Sequence, residues 1–170
     1  RERFAKDEIV PTEQDTSFRK TLLEGYVHDQ GAAMAGGIAG HAGLFATAND
    51  LAIYGQLLLN RGEYGGERYF KTETIDLFTS RQSTSSRRGL GFDRWDPNPK
   101  NEYPSKLANS SVFGHTGYTG TCIWIDPQNQ LIYIFLSNRV HPQVTTKLLD
   151  LNIRSRIQDA IYESINESQR

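Results

Sequence analysis

Between residues 111 and 120 the chain reads SVFGHTGYTG. His115 brings a titratable imidazole and Thr116 a hydroxyl, with Gly114 and Gly117 on either side. Glycine weakens a strand through its entropy. Its recurrence at 114, 117 and 120, at the start of an internal strand, therefore implies close backbone approach or a bend. Gly117 and Gly120 would leave one stretch free of bulk. A ligand could lie along it and pair with the main chain as an added strand. Backbone N–H groups there could also face the oxyanion that develops in acyl transfer. The same residues would equally suit a glycine-rich hairpin around a hydrogen-bonded histidine, and spacing alone leaves both readings open.

Such a stretch must be held by neighbouring elements. Two strands are predicted at about 118–125 and 131–137, joined by a turn at Asp126-Pro127-Gln128-Asn129. TCIWI and LIYIFL are apolar on both faces, so the sheet should be covered on both sides. The pattern over 144–165 predicts one long helix across a face, with Leu148, Ile153, Ile157, Ile161 and Ile165 as its stripe. Upstream, Thr47 and Asp50 are the start signals of a helix through Leu51, Tyr54, Leu57 and Leu58 that stops near Asn60-Arg61-Gly62. Thr72 can cap a shorter helix with Ile75, Leu77 and Phe78 as its apolar residues. Residues 89–94 form a short strand. Residues 1–30 are irregular with short helical turns, 80–88 make a polar loop, and 95–110, with Pro97, Pro99 and Pro104, are loop. The fold class is α/β of the α+β type, an antiparallel sheet flanked by helices.

Composition narrows the function. The chain has 170 residues, 37% hydrophobic and 23% charged, which is a globular profile with enough length for a core. A formal charge of −1 gives no basic field for nucleic acid. Cys122 is the only cysteine, and the four histidines have no metal-ligand spacing, so neither a disulfide nor a metal site is expected. No cofactor motif is present: Gly37 to Gly40 are not followed by the Gly-Lys-Ser/Thr of a phosphate loop. No apolar run reaches membrane-span length. The chain starts at Arg1 without a methionine, consistent with a piece of a longer product.

His115-Thr116-Gly117, then Tyr118-Thr119-Gly120 and a strand–turn–strand ending in Leu136-Ser137-Asn138, resembles the third motif of the serine β-lactamase and penicillin-binding protein superfamily. The resemblance is to its class C-like branch of esterases and D-amino-acid peptidases. Residues 36–66, GGIAGHAGLFATANDLAIYGQLLLNRGEYGG, resemble the Gly-Gly segment, helix and turn earlier in that domain. Gly25-Tyr26-Val27-His28-Asp29 is similar to a Bacteroidetes subgroup often joined behind a glycoside hydrolase domain. The resemblance runs from about Pro11 to Ile165.

The resemblance implies an acyl-enzyme hydrolase whose serine lies in a Ser-x-x-Lys motif at a helix start, activated with a tyrosine from a Tyr-x-Asn motif. No Tyr-x-Asn occurs in this chain. Its one Ser-x-x-Lys, Ser17-Phe18-Arg19-Lys20, stands just before Gly25 to Asp29, where the family has no nucleophile, and reads as accidental. Residues 1–170 are therefore expected to be the C-terminal portion of such a domain, inactive alone. By resemblance, Tyr118 donates its backbone N–H to the oxyanion, and His115 stands where many relatives have lysine. Thr116, Gly117 and His28 border the substrate. An imidazole is a less dependable cation than an ammonium, which favours ester or peptide hydrolysis over penicillin hydrolysis. Partners implied are a β-lactam, peptide or ester substrate, the missing N-terminal part of the domain, or a second copy in a homodimer. The location implied is the periplasm or cell envelope.

Simpler roles are also open. His28 and Asp29 can be a loop histidine beside a carboxylate, and His41 and His141 can be structural. Arg87-Arg88 reads as a solvated face. Two other functions compete: a non-catalytic domain binding a peptidoglycan-like peptide or a protein along 114–120, and a small enzyme using Ser110 with His115.

Overall fold

The computed structural model describes residues 4–96, 98 and 104–168. A 3₁₀ turn at Lys6–Glu8 precedes β1 (Glu13–Gln14), β2 (Leu22–Leu23), α1 (Gln30–Met34) and α2 (Ala48–Leu59). Next come β3 (Glu63–Tyr64), β4 (Glu67–Arg68), α3 (Thr72–Thr79) and β5 (Asp93–Arg94). The chain continues through β6 (Phe113–Thr116), β7 (Cys122–Asp126), β8 (Leu131–Phe135), α4 (Lys147–Asp150) and α5 (Ile153–Ser168). The main sheet has the order β5-β6-β7-β8, antiparallel throughout. β1–β2 and β3–β4 are separate two-stranded pairs, so the first thirty residues hold a strand pair that the sequence does not announce. Of the three prolines of the 95–110 loop, Pro97 and Pro99 lie outside the described residues, and Pro104 is buried.

Alternation along β7 sorts the core. Cys122 and Trp124 face one side, where they pack with Val112, Tyr133 and Tyr162 of α5. Ile123 and Ile125 face the other, with Phe113, Leu58 of α2 and Ile75 of α3. Both faces are covered, as the doubly apolar strands require. Ile125 is fully buried, worth about 1.5–3 kcal/mol relative to exposure. α2 seats closely on β8 because Gly55 has no side chain: a Cβ there would lie 2.8 Å from Ile132 Cγ2.

The start of α2 is a full capping box. Thr47 accepts from the Asp50 N–H, and the Asp50 side chain accepts from the Thr47 N–H. Other expectations need correction. The helix over 72–79 has Lys71 at its N-cap, with Thr72 inside the first turn and making no cap bond. Leu77 and Phe78 are exposed, as is Tyr54 on α2. The short strand over 89–94 shrinks to Asp93–Arg94. The strand read as 118–125 starts only at Cys122, because Gly117 to Thr121 form a hairpin loop and His115 and Thr116 belong to β6. The turn before β8 covers residues 127–130, closed by Gln130 in a left-handed conformation at φ 51°.

The helix over 144–165 is two. Asn152 sits at φ 49° between α4 and α5, a conformation asparagine tolerates better than most residues. The buried side of α5 is Gln158 and Tyr162, with Ile161 packed beside them, while Ile157 is exposed. Tyr162 lies inward because its hydroxyl donates to Asp126 Oδ2 at 2.8 Å. Asp126 also accepts from Asn109, Ser111 and Asn129 side chains and from the Gln128 and Asn129 N–H groups. Burial alone would raise its pKa. The donors outweigh that and hold it below the ordinary value.

Candidate functional site

The site grows from the end of β6. β5 pairs only with Phe113 and Gly114. Beyond that point His115 and Thr116 keep β7 on one edge and, among the described residues, have no strand on the other. His115 is exposed. Its Nε2 lies 2.7 Å from Arg88 Nη1, and its Nδ1 lies 2.7 Å from the Thr116 carbonyl. A guanidinium only donates and a carbonyl only accepts, so these contacts select the tautomer with the proton on Nδ1.

The glycines serve the protein's own packing. A Cβ on Gly114 would lie 2.0 Å from the Ile123 carbonyl, and one on Gly117 would lie 2.4 Å from Thr121 Oγ1. Gly120 has φ 123° and would meet Ser137 Oγ at 2.7 Å. The room that the sequence suggested for a ligand at Gly117 and Gly120 is therefore filled by Thr121 and Ser137.

Gly117 donates to the Thr121 carbonyl at 2.8 Å, and Gly120 donates to the Gly117 carbonyl at 3.1 Å. This closes a β-turn over 117–120, with Tyr118 as its second residue. The turn uses the Gly120 N–H, not that of Tyr118. Among the described residues no acceptor takes the Tyr118 N–H. Tyr118 is 62% exposed.

Four side chains brace this turn. Arg139 Nε donates to the Tyr118 carbonyl at 2.7 Å, and its guanidinium lies 4.2 Å from the Tyr118 ring centroid. Arg154 Nη1 donates to Thr121 at 2.9 Å and to Gly117 at 3.3 Å. Ser137 Oγ donates to Gly120 at 2.8 Å. The His28 ring lies against Tyr118 with centroids 5.1 Å apart. His28 Nε2 is 3.4 Å from Glu13, and Arg19 bonds Glu13 together with the Val27 and His28 carbonyls.

The structure thus sets His28 against Tyr118, which follows His115, Thr116 and Gly117 in the chain, although His28 comes from far upstream. Asp29 turns elsewhere: it caps α1 through the Ala32 N–H and meets His41 Nε2 at 2.9 Å. These two contacts lower its pKa. Arg87 and Arg88 are not a solvated face. Arg87 pairs with the buried Asp93 through Nε at 2.6 Å and Nη2 at 2.9 Å, and Arg88 reaches His115. Burial of Asp93 works against its charge, yet Arg87 and the Arg94 N–H keep its pKa low.

Ser17 to Arg19 form bends rather than a helix, and Lys20 has φ 55°. Asp15 organises them by accepting from the Ser17, Phe18 and Arg19 N–H groups and from Arg19 Nε, which holds its carboxyl far below the usual range. The one-turn helical spacing that would set a lysine over a serine is absent there. Ser110 precedes β6 at the end opposite His115, so the two do not form a pair. No group of metal-ligating side chains occurs among the described residues, and no helix there is long and apolar enough to cross a membrane. Sequence reasoning missed Arg88, Arg139 and Arg154. Each arrives from a different element, and no local spacing marks them.

The antiparallel sheet between helices is the fold of the β-lactamase and penicillin-binding-protein class. The Beta-lactamase family model matches residues 5–157, and the chain belongs to that family. An Escherichia coli (strain K12) protein named "Putative D-alanyl-D-alanine carboxypeptidase" is 39% identical over 129 residues, 75% of this chain and 30% of that protein. A protein of the same name from Salmonella gallinarum is 37% identical over 141 residues, 81% of this chain and 32% of that one. The chain thus spans about a third of the length of these curated relatives. The crystal structure of a penicillin-binding protein homologue from Caulobacter crescentus shares the fold, with a TM-score of 0.51 and 24% identity over 70% of this chain and 32% of its own.

Proposed function

We propose that this chain is the C-terminal, substrate-facing part of a serine hydrolase that cleaves amides or esters through an acyl-enzyme. β6 lines the substrate, the Tyr118 N–H is one oxyanion donor, and the nucleophile and its base come from outside these residues. The observation that carries this reading is the Tyr118 amide: a donor without an acceptor among the described residues, second in a braced turn, at the end of a His-Thr-Gly strand. Such donors are worth about 3–4 kcal/mol in a transition state. Support for an outside nucleophile is the lack of Tyr-x-Asn, the non-helical Ser17 to Lys20, and the share of the relatives that the chain spans. Exposed Met34, Ile38, Leu44 and Phe45 are consistent with a surface that further protein covers.

His115 and Arg88 lie where the substrate would pass, with Thr116, Gly117 and His28 around it. Arg88 adds a permanent positive charge that His115 alone lacks, so the edge suits a peptide or ester bearing an anionic group. The relatives' names make a peptide ending in D-alanine the first candidate. A substrate of that kind would be met in the periplasm or cell envelope.

Tyr118→Pro tests the donor. Proline removes the N–H at a turn position it readily occupies, so the fold should persist. In the protein that joins this chain to a Ser-x-x-Lys segment, kcat should fall about 100-fold or more. An unchanged kcat would remove Tyr118 from the reaction.

A further inference from the structure

The peptide unit that carries the Tyr118 N–H has the Gly117 carbonyl at its other end. That carbonyl is held twice: by the Gly120 N–H at 3.1 Å and by Arg154 Nη1 at 3.3 Å. The same Nη1 donates to the Thr121 carbonyl at 2.9 Å, which also accepts the Gly117 N–H. One guanidinium group thus spans both strands of the hairpin where it turns. The next peptide differs, since its Tyr118 carbonyl is held by Arg139.

We infer that Arg154 is a positioning residue for the Tyr118 amide, fixing the plane of its peptide and strengthening its N–H as a donor from behind. A positive charge at a carbonyl oxygen draws electron density through the amide and makes the N–H at the other end more acidic as a hydrogen-bond donor. The placement of that charge depends on the break before α5: the left-handed Asn152 ends one helix, and the next begins with an Arg156 N–H to Asn152 carbonyl bond of 2.9 Å. Arg154 therefore lies in the first turn of α5. The backbone carbonyl of Arg154 is tied to the sheet by the Tyr133 hydroxyl at 3.1 Å.

This inference deepens the reading of Tyr118 as an oxyanion donor, but its test reads the amide itself and stands whether or not that reading holds. The amide proton shifts of Tyr118 and Thr119 are compared by ¹H–¹⁵N NMR in the full chain and in Arg154→Met, Arg154→Gln and Arg154→Lys. In Arg154→Met the Tyr118 proton should move upfield by clearly more than that of Thr119, whose peptide is bound to Arg139. Arg154→Lys should restore most of the shift. A Tyr118 shift that stays put, or moves only in step with Thr119, overturns the inference. Should Arg154→Met fail to fold, Arg154→Gln keeps donors without charge and decides by the same comparison, with a smaller upfield move expected.

Discussion

His115 Nε2 accepts from Arg88 Nη1 at 2.7 Å, so a residue 27 positions upstream selects the imidazole's tautomer at the candidate site. With Nδ1 bound to the Thr116 carbonyl, the proton belongs on Nδ1. Arg88→Met removes the donor that keeps Nε2 bare. Long-range ¹H–¹⁵N correlation should show the Nδ1–H form in the original chain and growth of the Nε2–H form in the variant. Identical spectra would mean that Arg88 does not set the ring.

Gly114 and Gly117 separate two kinds of crowding. An alanine Cβ at 114 meets the Ile123 carbonyl and Trp124, a backbone and a packed ring that cannot give way. Gly114→Ala should cost about 3 kcal/mol or more in urea unfolding. At 117 the obstacle is the Thr121 hydroxyl, which can rotate, so Gly117→Ala should cost less. Equal costs would contradict the assignment of these glycines to packing.

Asp126 makes stability depend on pH in a stated direction. Its donors lower its folded pKa against the effect of burial. Its contribution is therefore fully present above about pH 4, the ordinary carboxylate value, and fades as pH falls through the lower folded value. Asp126→Asn should be less stable by about 2–3 kcal/mol at pH 7. The gap between the two proteins should narrow as pH falls below the ordinary carboxylate value. A gap that holds constant would show that the charge is not what the network stabilises.

The sequence announces the elements whose signals are local. Thr47 with Asp50 marks the start of α2, and the doubly apolar runs mark β7 and β8 together with their cover on both faces. The four-residue isoleucine spacing begins only at Ile153, and the longer step back to Leu148 does not by itself report a left-handed backbone at Asn152. Tyr162 is buried because its hydroxyl finds Asp126, a partner from another element. The site divides likewise. His115, Thr116, Gly117 and Tyr118 are contiguous and stand out. Arg88 reaches His115, and Arg139 and Arg154 reach the turn beyond it, only through the fold.

Cys122 should be inert while the protein is folded. Burial beneath α5 pushes its thiol up to about 11, so almost no thiolate exists at pH 8. A thiol-reactive chromogen should label it slowly in buffer and quickly in denaturant. Rapid labelling of the native chain would show that this face of the sheet opens.

Hydrolysis by the purified chain is the most direct measurement of the central claim. A chromogenic β-lactam and a p-nitrophenyl ester are each incubated with the chain and with Ser17→Ala. The account predicts background rates for both proteins, because the donor strand is present and the attacking hydroxyl is not. Turnover that disappears in Ser17→Ala would contradict it.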